Sequence, residues 1–220
     1  FGCWIIEDSC HSPGGYFIDR AGEKQFCGNG NFADLSIFSF HPVKHIATGE
    51  GGMITTNNKN LYNKILELRS HGITKDKYKF ENSLEFAFGK ETLNNCEWPI
   101  WYMEMQSLGF NYRISDINCG LGLSQLKRAN ENLLKRHQIA IRYYQAFKNI
   151  PDIKDYNFEA KAKDKQISHA YHLYVIEVND RAGLYYHLHK HNIFVQIHYV
   201  PCHLMPYYRD LGWKEGDMPN

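Results

Sequence analysis

The sequence predicts an α/β fold: a mostly parallel sheet in a partial large domain, followed by part of a smaller C-terminal α/β domain. Three observations predict it. Gly2-Cys3-Trp4-Ile5-Ile6 is a short apolar run closed by Glu7-Asp8, the pattern of a strand buried on both faces. Segments that alternate with period two are followed by segments of helical period. After residue 166 the order strand, helix, strand recurs on a smaller scale.

Each element has its own signal. In Phe32 to Phe40, Leu35 and Ile37 alternate with Ser36 and Phe38, which reads as a second strand. Met53 to Thr56 follows the glycine turn Gly49-Glu50-Gly51-Gly52 as a third strand and stops at Asn57-Asn58. Leu61, Ile65 and Leu68 recur at helical spacing, and Gly72 stands where a helix stop is expected. Residues 73 to 108 carry no clean period and are broken by Pro99, so they read as an excursion on the surface or at an interface. Ser115 has the form of an N-cap with Asp116 in the first turn. Helical pattern then runs to about Lys148, and Gly120 and Gly122 mark close packing or a bend between two helices. Pro151 to Gln166 is polar and lysine-rich, a loop at a domain boundary. His172 to Val178 reads as a strand, Ala182 to His191 as a helix and Ile193 to Val200 as another strand. The expected division is 1–125 for the large domain, 126–150 for a connecting helix and 151–220 for the partial small domain.

Composition narrows the class. The 220 residues are 43% hydrophobic and 15% aromatic, which fits a globular protein and argues against disorder. A net charge of +1 gives no general nucleic-acid surface, and no polybasic run addresses an anionic membrane. No apolar stretch approaches membrane-spanning length, and no charged-then-apolar leader is visible. The six cysteines form no C-x-x-C pair, so a reduced, cytoplasmic protein is the expectation. Phe1 falls in or before a strand pattern and Asp217-Met218-Pro219-Asn220 makes no capped ending. A piece of a longer protein is therefore expected.

The chemistry centres on Lys44, in Ser39-Phe40-His41-Pro42-Val43-Lys44. Asp8 closes the first strand, with His11 three residues on. In open α/β sheets ligands collect beyond the carboxyl ends of strands, so one crevice can hold Asp8, Ser39 and Lys44. Singly, each has an ordinary reading: a turn residue, a pleat residue, a solvated lysine. Together they are what a pyridoxal phosphate enzyme needs. The lysine amine bonds the aldehyde, the carboxylate keeps the pyridine nitrogen protonated and the hydroxyl donates to the phosphate. Once displaced, the same amine can move a proton between carbon atoms.

The wording of the motifs carries a resemblance. Ile6-Glu7-Asp8-Ser9-Cys10-His11 and Phe38-Ser39-Phe40-His41-Pro42-Val43-Lys44, with Gly49-Glu50-Gly51-Gly52 to Asn57, are similar to the DegT/DnrJ/StrS family of sugar aminotransferases. So are Arg69-Ser70-His71-Gly72-Ile73, Leu108 to Ile117, Gly122 to Leu126 and Gln196 to Pro201. Within that family, the stretches Trp101 to Gln106 and Tyr199 to Tyr208 most resemble the branch that aminates nucleotide sugars for pseudaminic acid. The resemblance implies the aspartate aminotransferase-like fold, called fold type I, and pyridoxal 5'-phosphate as cofactor. It implies Lys44 as the Schiff-base lysine, Asp8 against the pyridine nitrogen, His11 on the ring or its hydroxyl and Ser39 on the phosphate. Asn111, and less directly Arg113, would reach the partner subunit's cofactor in a homodimer with shared active sites. The family's glycine–threonine phosphate turn and stacking aromatic would precede Phe1, and the end of the small domain would follow Asn220.

The activity implied is transfer of an amino group, from glutamate, onto a nucleotide-linked keto-sugar for cell-surface glycan or flagellin sugars. Some members carry His at the position of Lys44 and act as sugar dehydratases, so Lys44 favours transamination. Dehydration or epimerisation with the same cofactor is the alternative, as is a non-catalytic regulatory or binding protein. His198, Tyr199 and His203 either touch the nucleotide sugar or serve packing and a turn. His187-x-His189-x-His191 reads as solvated histidines near a helix end, without the carboxylate or cysteine that would complete a metal site. Tyr143, Tyr144, Phe147, Tyr185 and Tyr186 read as core. Glu50 either orients a catalytic group or simply occupies its turn.

Overall fold

A computed structural model describes residues 2–89, 96–155 and 167–218. In chain order the strands are β1 (Ile6–Asp8), β2 (Tyr16–Ile18), β3 (Lys24–Phe26), β4 (Leu35–Ser39) and β5 (Gly52–Thr55), then β6 (Ile73–Thr74) and β7 (Glu104–Met105). After them come β8 (Ile153–Lys154), β9 (Ile167–Ser168) and β10 (Glu177–Val178). The helices are α1 (Lys59–Arg69), α2 (Leu84–Phe88), α3 (Asp116–Leu126), α4 (Ala129–Phe147), α5 (Arg181–Lys190) and α6 (Pro206–Asp210). The chain forms two compact units. The first is Phe1–Ile139 with Asp164–His172, and the second is Ala140–Lys163 with Leu173–Asn220.

In the first unit, β1, β4 and β5 form a sheet in the order β1-β4-β5. β1 and β4 run parallel with Ile6 opposite Leu35 and Asp8 opposite Ile37. β4 and β5 are antiparallel, with Ser36 opposite Thr55 and Ser39 opposite Gly52. The Glu7 carboxylate fastens the parallel pair. It accepts from Ser9 Oγ at 2.8 Å, Ser36 Oγ at 2.9 Å and the Gly28 N–H at 3.0 and 3.1 Å. Ser9 and Ser36 are fully buried. Successive strand residues face opposite ways, so Asp8 points to the other side from Glu7.

A hairpin of β2 and β3 lies between these strands in sequence, and β9 adds to its free edge by pairing with β2. The sequence reading did not contain this hairpin. Its strands are three residues each, too short to display a period. Asp19 shapes the turn, accepting from the N–H groups of Ala21 and Glu23 at 2.9 Å each.

The helix signals were the most legible. Asn58 caps α1 by accepting from the N–H groups of Asn60 and Leu61, and Ser115 caps α3 by accepting from Asn118. The helical pattern after Ser115 is indeed two helices. The break lies at Lys127–Arg128, between α3 and α4, and Gly120 and Gly122 sit inside α3. Gly122 serves close packing, because a Cβ there would stand 3.0 Å from Thr48 Cγ2.

Residues 73 to 108 hold more structure than their sequence showed. Glu104 is buried and accepts from the N–H groups of Glu81 (2.7 Å) and Asn82 (3.0 Å), from Tyr102 Oη (2.9 Å) and from Gln106 Nε2 (3.1 Å). Phe80, Trp98 and Tyr102 pack ring on ring around it, at centroid distances of 4.7 to 4.9 Å. Part of this excursion, residues 90–95, lies outside the described residues.

Several expectations are corrected. The first strand is not buried on both faces: Ile5 and Ile6 are 56% and 59% exposed. Among the described residues β1 pairs with β4 alone, which leaves its other edge open. Of His172 to Val178, only Glu177–Val178 is strand, and Ile193 to Val200 forms no ladder. β10 pairs antiparallel with β8, closed by a 2.9 Å ion pair between Lys154 and Glu177, and no strand among the described residues pairs with 193–200. In Pro151 to Gln166, Ile153–Lys154 is strand rather than loop, and 156–166 lies outside the described residues. In the second unit, the Tyr143 ring contacts those of Phe147 and Tyr174, but Tyr143, read as core, is 45% exposed. Tyr186, read as core, is 71% exposed.

Gly72 has the least room in the chain. It adopts φ +67°, and a Cβ there would fall 1.7 Å from the Ser107 carbonyl oxygen. Gly72→Ala is therefore expected to destabilise the protein by more than about 2 kcal/mol in urea unfolding, because backbone rather than a side chain must move. A change below about 0.5 kcal/mol would contradict this close approach.

Candidate active site

β1 and β4 run parallel as neighbours, with Asp8 at the end of β1 opposite Ile37 and Ser39 two residues further along β4. Lys44 lies in the loop that joins β4 to β5. That loop is closed by hydrogen bonds from Phe40 N–H to the Gly51 carbonyl (2.9 Å) and from Thr48 N–H to the Phe40 carbonyl (3.0 Å). Within it, Lys44 N–H donates to the His41 carbonyl at 2.9 Å. The Glu50 carbonyl accepts from Thr48 Oγ1 (2.8 Å) and from Asn118 Nδ2 on α3 (3.1 Å), which ties the loop to the helix. Glu50 itself points its carboxylate at His41, 3.9 Å away.

The three side chains are in suitable states. Asp8 Oδ1 accepts from the Cys10 N–H at 3.0 Å. The Cys10 thiol, the Cys10 N–H, His11 and the Lys44 ammonium together hold its carboxyl below the usual aspartate value. The reciprocal effect appears at Cys10, where burial and the neighbouring Asp8 push the thiol up to about 11. That thiol stays protonated and unreactive at neutral pH. Ser39 Oγ accepts a long bond from His41 N–H at 3.4 Å, so its own hydrogen remains available to donate. No carboxylate among the described residues lies within ion-pair distance of Lys44, which is half-buried. An ionised carboxylate, a hydroxyl able to donate and an uncommitted amine at the end of one sheet fit a pyridoxal phosphate ring, its phosphate and its aldehyde.

His11 follows Asp8 in the turn after β1, and its ring lies 4.1 Å from that of His172. Asn111 and Arg113 are exposed on the segment leading into α3, and the Asn111 backbone bridges Ser70. His198, Tyr199 and His203 belong to the second unit, where the rings of His198 and Tyr199 are 3.7 Å apart and His203 sits in the 3-10 turn Cys202–Leu204. In the same unit His191 Nδ1 contacts the His187 carbonyl at 2.8 Å.

Sequence reasoning missed a histidine cluster. His45, next to Lys44, faces His172 at 5.3 Å. Arg136 on α4 donates to the carbonyls of Tyr171 (2.9 Å) and His172 (3.4 Å), and His137 Nε2 donates to the His169 carbonyl (2.7 Å). His45, Arg136, Pro13, Gly14 and Leu133 line a cleft of about 170 Å³. Burial, followed by the charges of Arg136, His172 and His11, brings the His45 imidazole down to about 4 from the ordinary 6.5.

The sequence matches the DegT/DnrJ/EryC1/StrS aminotransferase family over residues 1–220. It is 37% identical to the UDP-4-amino-4,6-dideoxy-N-acetyl-beta-L-altrosamine transaminase of Campylobacter jejuni, over 94% of this chain and 47% of that protein. Against the spore coat polysaccharide biosynthesis protein SpsC of Bacillus subtilis it is 33% identical, over 100% of this chain and 52% of the other. The structure resembles Helicobacter pylori PseC, an aminotransferase involved in pseudaminic acid biosynthesis, with a TM-score of 0.73 at 30% identity, over 94% of this chain and 48% of that one. The chain spans about half the length of the curated relatives it matches. Structural neighbours include the PLP and PMP forms of the Streptococcus pneumoniae sugar aminotransferase Spr1654. The fold is thus the fold type I α/β architecture of the sugar aminotransferases, present here in part. Among the described residues no helix is long and apolar enough to cross a membrane.

His45 sets an acid limit on stability. Between 6.5 and about 4 the unfolded chain binds a proton that the folded chain refuses. Stability is full above about 6.5 and is lost as pH falls toward about 4. Thermal melts followed by circular dichroism should show that decline, and His45→Gln should flatten it. An unchanged slope in the variant would exclude His45 as its source.

Proposed function

Because the chain belongs to the DegT/DnrJ/EryC1/StrS aminotransferase family, we propose that it forms part of a pyridoxal phosphate-dependent nucleotide-sugar aminotransferase. The protein moves an amino group from glutamate to a nucleotide-linked keto-sugar destined for a cell-surface glycan or flagellin sugar. One observation carries this reading: Asp8 and Ser39 end adjacent parallel strands, and Lys44 follows in the loop after the second. The transaminase from Campylobacter and the polysaccharide protein from Bacillus support the substrate class.

Roles follow from the chemistry of each group. Bound pyridoxal phosphate would supply the electron sink and carry the amino group between donor and acceptor. Asp8, held ionised by Cys10, His11 and Lys44, would keep the ring nitrogen protonated. Ser39 would donate its hydroxyl hydrogen to the phosphate, and His11 would contact the ring or its hydroxyl. The Lys44 amine would anchor the cofactor and, when released, shuttle a proton between carbon atoms. Exposed Asn111, with Arg113, would reach into the site of a second copy, which makes the homodimer part of the catalytic unit. His198, Tyr199 and His203 would meet the nucleotide sugar. The six cysteines form no C-x-x-C pair, in keeping with a cytoplasmic protein.

The test uses the full-length protein and labelled glutamate. Label should pass into the keto-sugar, and borohydride should fix the cofactor on Lys44. Lys44→Ala should cut the rate by about 10²–10⁴-fold or more, the scale of a lost general acid–base group. Sugar converted without label would indicate dehydration or epimerisation, and undiminished transfer by Lys44→Ala would overturn the role of Lys44.

A further inference from the structure

The first unit is completed by a segment that arrives from far along the sequence. β9 (Ile167–Ser168) pairs with β2, Ala170 is 2% exposed, and Arg136 and His137 of α4 hold the carbonyls of Tyr171, His172 and His169. Five anchors on six residues leave this strap little freedom. It ends at His172, whose ring lies against His11 at 4.1 Å with a 38° tilt and edge-on to His45 at 5.3 Å. His11 sits on a short turn after β1, next to Asp8 and within the electrostatic reach of Lys44's neighbour His45. Nothing in the aminotransferase reading gives His172 a task.

We infer that His172 is a positioning residue for this reaction: packed ring to ring against His11, it fixes the plane that His11 presents to the cofactor ring. This rests on the aminotransferase reading. An imidazole after a strand end can rotate about two side-chain torsions, and a second ring held by the strap removes that freedom before cofactor arrives. A packed ring also keeps water from one face of His11. The charged and titratable groups that the structure records against this pair are Asp8 on the β1 turn, His45 on the loop after β4 and Arg136 on α4. His172 therefore acts on the cofactor through His11, without touching it.

The experiment measures pyridoxal phosphate affinity and the pH midpoint of the visible band in the full-length protein. His172→Ala should weaken binding about three- to ten-fold, the range of one lost ring-on-ring contact, and move the midpoint. His172→Phe keeps the ring contact without an ionisable group, so it should restore affinity and also guards against a folding defect. The double variant His11→Ala/His172→Ala should bind no more weakly than His11→Ala alone. Binding by His172→Ala within about two-fold of wild type, or losses that multiply in the double variant, would overturn the inference. Failure of His172→Phe to restore affinity would do the same. A wild-type protein that binds no cofactor would instead bring down the aminotransferase reading, and this inference with it.

Discussion

The Glu7 carboxylate is the constraint on which the first unit depends. Its two oxygens take hydrogen bonds from Ser9, Ser36 and Gly28, so one side chain ties β1, β4 and the turn after β3 together. Fully buried Ser9 and Ser36 have their hydroxyls satisfied there. Glu7 is half-buried, and a carboxylate so placed needs such donors, which this register supplies. A slip of one residue between β1 and β4 would strand the carboxylate and turn Asp8 to the wrong side. The placing of Asp8 opposite Ile37, two residues short of Ser39, follows from that lock.

Much of this was legible in the sequence, for local reasons. Ser115 announces its helix because a cap is a bond between neighbours. Leu35 to Ser39 alternates because β4 is central to its sheet, and Asp8, Ser39 and Lys44 stand out because the chemistry prescribes their types. What was hidden depends on distant partners. Nothing near His172 says that it will meet His11, and nothing near Glu104 says that four donors will close on it. Ile193 to Val200 has the composition of a strand, but a ladder needs an edge, and its pattern cannot supply one.

The site shows a division of labour by reach. Asp8 and Ser39 end adjacent strands of one sheet, and Lys44 follows in the loop that β4 and β5 close. His11 is set by a ring from the strap, and Asn111 lies on an exposed segment suited to another subunit.

The interleaving of the two units has a consequence for synthesis. The ribosome releases residues 1–139 first, then a stretch of the second unit, and only then the strap that belongs to the first. Until His172 emerges, β2 lacks its outer neighbour, Arg136 lacks its carbonyls and Ala170 leaves a hole. The nascent first unit must wait, partly open, while chain from its neighbour is made. A protein so ordered couples the two units through translation itself, and a cut at residue 150 would sever the first from a piece of its own interior.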